Sequence, residues 1–270
     1  VILPDIGTDT KQIVALVALF AGGLVFFEYN AIYPSLIEFR DGAPYNRIRY
    51  LMLLATVLIL SVIVADREDP TTVSGLVRAL GEVVGSALDF PYSPVRLATL
   101  MLSDNGTVDQ MRDMRIAAGM AYLVSLLSLA IFVIVLKMVG WPSTKSAFNV
   151  WVNLPTFEPT AGGDVVDRLE RDSRVNLAVG FLLPFVVPAL IVLFTSGLPA
   201  DTVTAPQTLI WTISALAYLP ASLLMRGVAM ARIADMIRTK RDLKLAEEAG
   251  PQGADGRPRL TDDDDEDDDL

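Results

Sequence analysis

The chain of 270 residues contains no histidine and no cysteine. Those side chains supply most acid–base catalysts, thiol nucleophiles, zinc ligands and disulfides. HExxH metalloproteases, serine–histidine proteases, thiolate metal sites and His-ligated haem are therefore excluded from the outset. Carboxylates, tyrosines and guanidinium groups remain. Glu28, Tyr29 and Asn30 form the strongly polar cluster closest to membrane depth. An ionisable group there is a functional candidate, and the bland alternative is that Glu28 ends an apolar span in the headgroup zone. Asp66, Glu68 and Asp69, and Asp164 with Asp167, are the neighbouring carboxylates, and surface solvation explains both sets. The expectation is that the protein is not an enzyme and carries no cofactor.

Other patterns are weaker still as sites. Gly180, Pro184 and Pro188 recur every four residues, and Pro220 interrupts the next apolar run. Helices broken in this way can turn carbonyl groups toward a solute or ion, although prolines also occur in ordinary membrane helices. Arg232, Arg238, Lys240, Arg241 and Lys244 follow the last apolar run and can attract anionic lipid at about 1 kcal/mol each. Asp235, Asp242, Glu247 and Glu248 dilute them. Ala117, Ala121, Ser125 and Ser128 make a small-residue stripe of the kind that lets helices approach. Gly81 to Gly85 is too short for a phosphate loop. The acids from Asp262 to Asp269 lack EF-hand spacing. No basic groove interleaved with aromatics points to nucleic acid.

The elements that must position these groups are apolar. Hydrophobic residues make up 52% of the chain and mean hydropathy is +0.46. Residues 175–225 carry a single charge, Asp201, and a bilayer crossing takes roughly 20 apolar residues. That run is read as two crossings joined at Pro199, Asp201 and Pro206. The expected fold is an all-α polytopic membrane protein with five transmembrane helices, an extracytoplasmic interfacial amphipathic helix and a disordered acidic C-terminal tail. Its spans are placed at 12–33, 48–65, 114–140, 175–198 and 205–226. An extracytoplasmic N-terminus (1–11) precedes them, and it lacks the positive region of a secretory signal. Residues 71–103 have helical spacing of Val73, Leu76, Val77, Leu80, Val83, Val84 and Leu88, and are read as interfacial helices. A cytoplasmic loop (141–174), a cytoplasmic helical extension (227–249) and the tail (250–270) complete the chain. Thr107 with Gln110 has the spacing of a capping box and predicts a helix start, two turns before the membrane.

The formal charge of −10 resides mostly in the tail, where residues 251–270 hold nine acids and two bases. With five spans and the C-terminus inside, fourteen bases before the tail fall on the inner side and six on the outer. Lys and Arg accumulate on the cytoplasmic side of membrane helices. The expectation is a plasma (bacterial inner) membrane protein with its N-terminus outside and C-terminus in the cytoplasm. The expected function is a structural, accessory or assembly subunit; the alternative is a small-solute or ion transporter or channel using the proline-interrupted hairpin and Glu28. Expected partners are the lipid bilayer, other membrane proteins or a second copy, and a basic protein surface for the acidic tail, with no nucleic acid.

Overall fold

The computed structural model describes residues 8–102, 106–142, 150–155, 157, 162–195 and 200–248. All regular structure among them is helical: α1 (Thr8–Asn30), α2 (Ala43–Ala65), α3 (Thr72–Leu88), α4 (Pro94–Leu100), α5 (Val108–Val139), α6 (Val150–Asn153), α7 (Val165–Thr195), α8 (Ala200–Thr204) and α9 (Pro206–Glu248). Five of these, α1, α2, α5, α7 and α9, are long and apolar enough to cross a membrane. The acidic run 262–269 and residues 143–149 lie outside the described residues.

Two of the five spans reach further than the apolar runs alone indicate. The charged turns before residue 175 are continuous with α7, which starts at Val165. Residues 227–248 continue α9, so a helix of 43 residues extends about 64 Å, roughly twice the thickness of a bilayer core. α2 begins earlier than expected, because Pro44 falls in its first turn, where a missing N–H costs nothing. α1 ends earlier than expected. It stops at Asn30, and Tyr33 lies in a non-helical loop rather than on the span. Pro34 restricts the residue before it to extended backbone, and the Glu28 carboxylate captures the backbone that follows. α5 starts where its capping box places it: Thr107 Oγ1 accepts from Gln110 N, and Thr107 N donates to Gln110 Oε1. Gly140, at φ +63°, ends it in the left-handed conformation that glycine takes without strain.

α2, α5, α7 and α9 form the bundle. α7 and α9 share its most extensive interface, and glycine makes that possible. A Cβ on Gly180 would sit 3.0 Å from the Pro220 carbonyl oxygen, and one on Gly227 3.0 Å from that of Ser173. Small residues let membrane helices meet backbone to backbone. Ala117, Ala121 and Ser125 of α5 are likewise buried. One apolar core gathers Leu60, Ile63, Ile116, Met120 and Ile213, and a second gathers Phe39, Tyr45, Phe132, Leu169 and Met225. Leu154 and Phe157, after α6, join the second core, and Arg168 lies over the Phe157 ring. α1 stands apart: no residue of its apolar window is buried.

α3 lies against the start of α5 with its polar face inward. Thr71 caps it, and Ser74 Oγ reaches Asp66 Oδ1 at 2.6 Å. Gly81 and Gly85 are buried at the crossing, where a Cβ on Gly119 would lie 2.5 Å from Gly85 Cα. Arg78, Glu82 and Asp89 meet Asp113, Arg112 and Arg115 of α5. Val73, Leu76, Leu80 and Val83 stay exposed on the opposite face. α3 thus presents apolar side chains outward and polar ones to α5.

Candidate functional site

The richest grouping of polar side chains lies where the loop 31–42 meets α2, α7 and α9. It starts from Glu28. The Glu28 carboxylate accepts from Ser35 N at 2.9 Å, Ser35 Oγ at 2.8 Å, Leu36 N at 2.8 Å and Ile37 N at 3.3 Å. A carboxylate can take several donors at once, and these four fold the loop back over the end of α1. Arg40 Nη1 donates to the Ala31 carbonyl at 2.5 Å and Asn46 Nδ2 to the Glu38 carbonyl at 2.8 Å. Phe39 N donates to the Asn153 carbonyl at 2.6 Å, and Asp41 N to Asn153 Oδ1 at 3.0 Å. Phe39 is held at φ 52°, a region that bulky residues rarely enter, with its ring buried against Tyr45 and Trp141. Such an outlier persists only where its surroundings over-determine it.

The loop delivers Glu38 to Arg226. Arg226 Nε donates to Glu38 Oε2 at 2.6 Å and Nη2 to Oε1 at 2.8 Å, a two-pronged pair. Arg226 Nη1 donates to Asn176 Oδ1 at 3.0 Å, which ties in α7, and Asn176 Nδ2 donates to the Asp172 carbonyl at 2.7 Å. Planar guanidinium–carboxylate pairing is both stronger and more directional than a point-charge contact. Three separate chain segments are thereby fixed together, at side-chain exposures of 26% for Arg226 and 13% for Glu38.

Beside this pair is a cavity of about 690 Å³ bounded by α1, the loop, α2 and α9. Tyr29, Glu38, Arg47, Arg49, Tyr218 and Arg226 form its polar wall. Val25, Leu53, Leu219 and Leu223 form its apolar wall. The Arg49 guanidinium lies 5.0 Å from the Tyr45 ring centroid and 5.7 Å from that of Tyr218. Arg49 Nε is buried with no hydrogen-bond acceptor among the described residues.

The expected site residues fall in different places. Tyr29 lines this cavity. Glu28 organises the loop beside it, and Asn30 Nδ2 turns back to the Phe26 carbonyl at 2.7 Å. Gly180, Pro184 and Pro220 line a separate cavity of about 280 Å³, whose walls are otherwise apolar apart from Ser93, Tyr122 and Ser125. Pro188 is buried, and both α7 and α9 run as α-helix through their prolines. The basic group divides. Arg238 pairs with Glu170, and Arg241 Nη1 with Asp164 Oδ1 at 2.7 Å, whereas Lys244 is exposed and Arg232 is half-buried. The Val166 amide and Arg241 hold the Asp164 carboxyl below its ordinary pKa. Glu38, Asn176 and Arg226 are not singled out by sequence reasoning. Their signal is slight: one acid between Ile37 and Phe39, one amide early in an apolar run, and one arginine at the end of another.

The opposite end of the bundle has its own polar network. Arg67 Nε meets Asp113 Oδ2 at 2.9 Å, Arg78 pairs with the same carboxylate, and Arg67 Nη1 reaches the Thr204 carbonyl at 3.3 Å. Gln110 Nε2 donates to Asp201 Oδ1 at 2.7 Å. Segments that a five-crossing path would place on one side are joined to one another there. The loop 31–42, α6, and the ends of α7 and α9 are joined at the other. No family model matches the chain, and comparison with curated proteins and with solved structures finds no match.

Proposed function

We propose that the protein is a non-catalytic subunit of a membrane complex, an accessory or assembly chain of the plasma (bacterial inner) membrane. The observation that carries this reading is α1. Four spans pack into a bundle, while the fifth buries no residue of its apolar window yet is tethered by the Glu28 clasp and the Glu38–Arg226 pair. Ala15, Ala18 and Gly22 share one exposed face of it, and Gly22 has no atom within 4 Å of where a Cβ would be. Faces of small residues are where membrane helices join. The segregation of hydrogen-bonded segments to two ends supports five crossings. The excess of bases at the Arg226 end supports placing that end, and the C-terminus, in the cytoplasm.

The test is co-purification. A tagged copy drawn from gently solubilised membranes should bring partner chains with it, and Ala18→Leu with Gly22→Leu should release them without unfolding the bundle. A wild-type protein that remains a lone monomer under those conditions refutes the proposal. A second reading, transport of a small solute or ion, draws on the cavity lined by Gly180, Pro184 and Pro220. Its apolar walls and continuous helices offer few groups to hold an ion, which ranks this reading below the first. A flux into proteoliposomes that Glu28→Gln abolishes would reverse that order.

A further inference from the structure

The cavity beside Arg226 has a basic wall and an apolar wall, and its charges do not cancel. Arg226 is neutralised by Glu38. Arg47 and Arg49 have no carboxylate partner among the described residues. Arg49 is the more demanding of the two, because its Nε is buried without an acceptor while its guanidinium plane is held between Tyr45 and Tyr218. A buried donor left unmade is costly, and the guanidinium that carries it lines the cavity, where an anion would balance its charge.

We propose that this cavity binds the phosphate headgroup of an anionic phospholipid, with Arg47 and Arg49 holding the phosphate. The other wall identifies the ligand as a lipid. Because α1 does not pack on the bundle, a gap runs between them, walled by Val25 of α1, Leu53 of α2 and Leu219 and Leu223 of α9. An acyl chain fills such a gap; a free phosphate leaves it empty. The depth is right as well. Arg47 and Arg49 lie four and six residues into α2, about 6 to 9 Å along its axis, where headgroup meets hydrocarbon. Basic pockets between transmembrane helices bind lipid headgroups in just this position. The basic residues from Arg232 to Lys244 are a different feature. Arg238 and Arg241 are committed to Glu170 and Asp164, and none of the five lines the cavity.

The full chain in a non-ionic detergent, examined by native mass spectrometry with added phosphatidylglycerol, phosphatidylcholine or inorganic phosphate, tests this. The expected result is retention of phosphatidylglycerol over phosphatidylcholine. Arg49→Gln lowers retention about tenfold, as loss of one charge-assisted hydrogen bond does, and Arg47→Gln lowers it about fivefold. Arg49→Lys, which keeps the charge and loses the planar fork, falls between wild type and Arg49→Gln. Lys11→Gln, which removes one exposed charge at the far end of α1 from the cavity, leaves retention unchanged. Thermal unfolding of each variant reports whether it is folded, and the exposed Arg47 position keeps the test open if Arg49→Gln is not. Equal retention of the two lipids, or an equal loss in Lys11→Gln, overturns the proposal. So does Arg49-dependent stabilisation by inorganic phosphate without retention of phosphatidylglycerol, which would assign the site to a free phosphate.

Discussion

Gly119→Ala should loosen α3 from the bundle, and the structure sets how far. The added Cβ would stand 2.5 Å from Gly85 Cα and 2.8 Å from Gly85 N. Ordinary contact begins at 3.4 Å, so the α3 backbone must retreat by about 0.9 Å. Backbone atoms cannot rotate away as a side-chain tip can. A gap of that size forfeits roughly a quarter to a half of each dispersion contact across the interface, and overpacking typically costs ~1–3 kcal/mol. The Arg78–Asp113 and Glu82–Arg112 pairs must stretch as well. Better helix propensity of alanine returns up to ~1 kcal/mol, leaving a net loss of about 1–2 kcal/mol. Gly75→Ala is the matched control. Nothing lies within 4 Å of its Cβ, so the propensity gain stands alone. The assay is hydrogen exchange of α3 amides in detergent micelles, where about 1.4 kcal/mol of local stability is a tenfold change in rate. Exchange should rise roughly tenfold in Gly119→Ala and fall or stay level in Gly75→Ala. Protection of α3 in Gly119→Ala equal to or above wild type would refute the close-crossing argument.

A double-mutant cycle on Glu38→Gln and Arg226→Gln should give a coupling energy of about 1–2 kcal/mol in thermal or denaturant unfolding, less than a fully buried pair because both side chains keep partial exposure; coupling near zero would mean the loop is held by other contacts. Acid should open the contact between α7 and the end of α9. Asp164 has a depressed carboxyl pKa, so its stabilising pairing is complete above the ordinary value of 3.8 and is lost as pH falls through the lower, folded value. Protection against hydrogen exchange near Arg241, taken relative to the intrinsic rate at each pH, should therefore fall below that range in wild type and be low and pH-independent there in Asp164→Asn.

Much of the architecture was legible because hydrocarbon thickness is a strict ruler. Runs such as 175–225 admit few readings once one crossing needs roughly 20 apolar residues. Local signals held where both partners lie within one turn, as with Thr107 and Gln110. What periodicity does not carry is the choice of neighbour. The amphipathic pattern of α3 is plain in the sequence, but the partners of its polar face are not, because Arg78 finds Asp113 thirty-five residues away. Gly81 and Gly85 read as a failed phosphate loop, yet they form the crossing with Gly119. The Glu38–Arg226 pair spans 188 residues, and each member alone reads as an ordinary interfacial charge. The early end of α1 was hidden for a related reason. A carboxylate at its last turn captures the amides of the following loop, and residue composition does not distinguish that from a helix running on.

In the proposed topology the chain alternates five times across a bilayer and leaves the Arg226 end and the α9 extension in the cytoplasm. The native chain has no cysteine, so each introduced thiol reports alone. Thr202 of α8 and Lys244 of α9 are both exposed, at opposite ends of the same hairpin. A membrane-impermeant maleimide applied to intact cells should label Thr202→Cys, and should label Lys244→Cys only after the membrane is breached. Labelling of Lys244→Cys in intact cells, or equal labelling of the two positions, would rule that topology out.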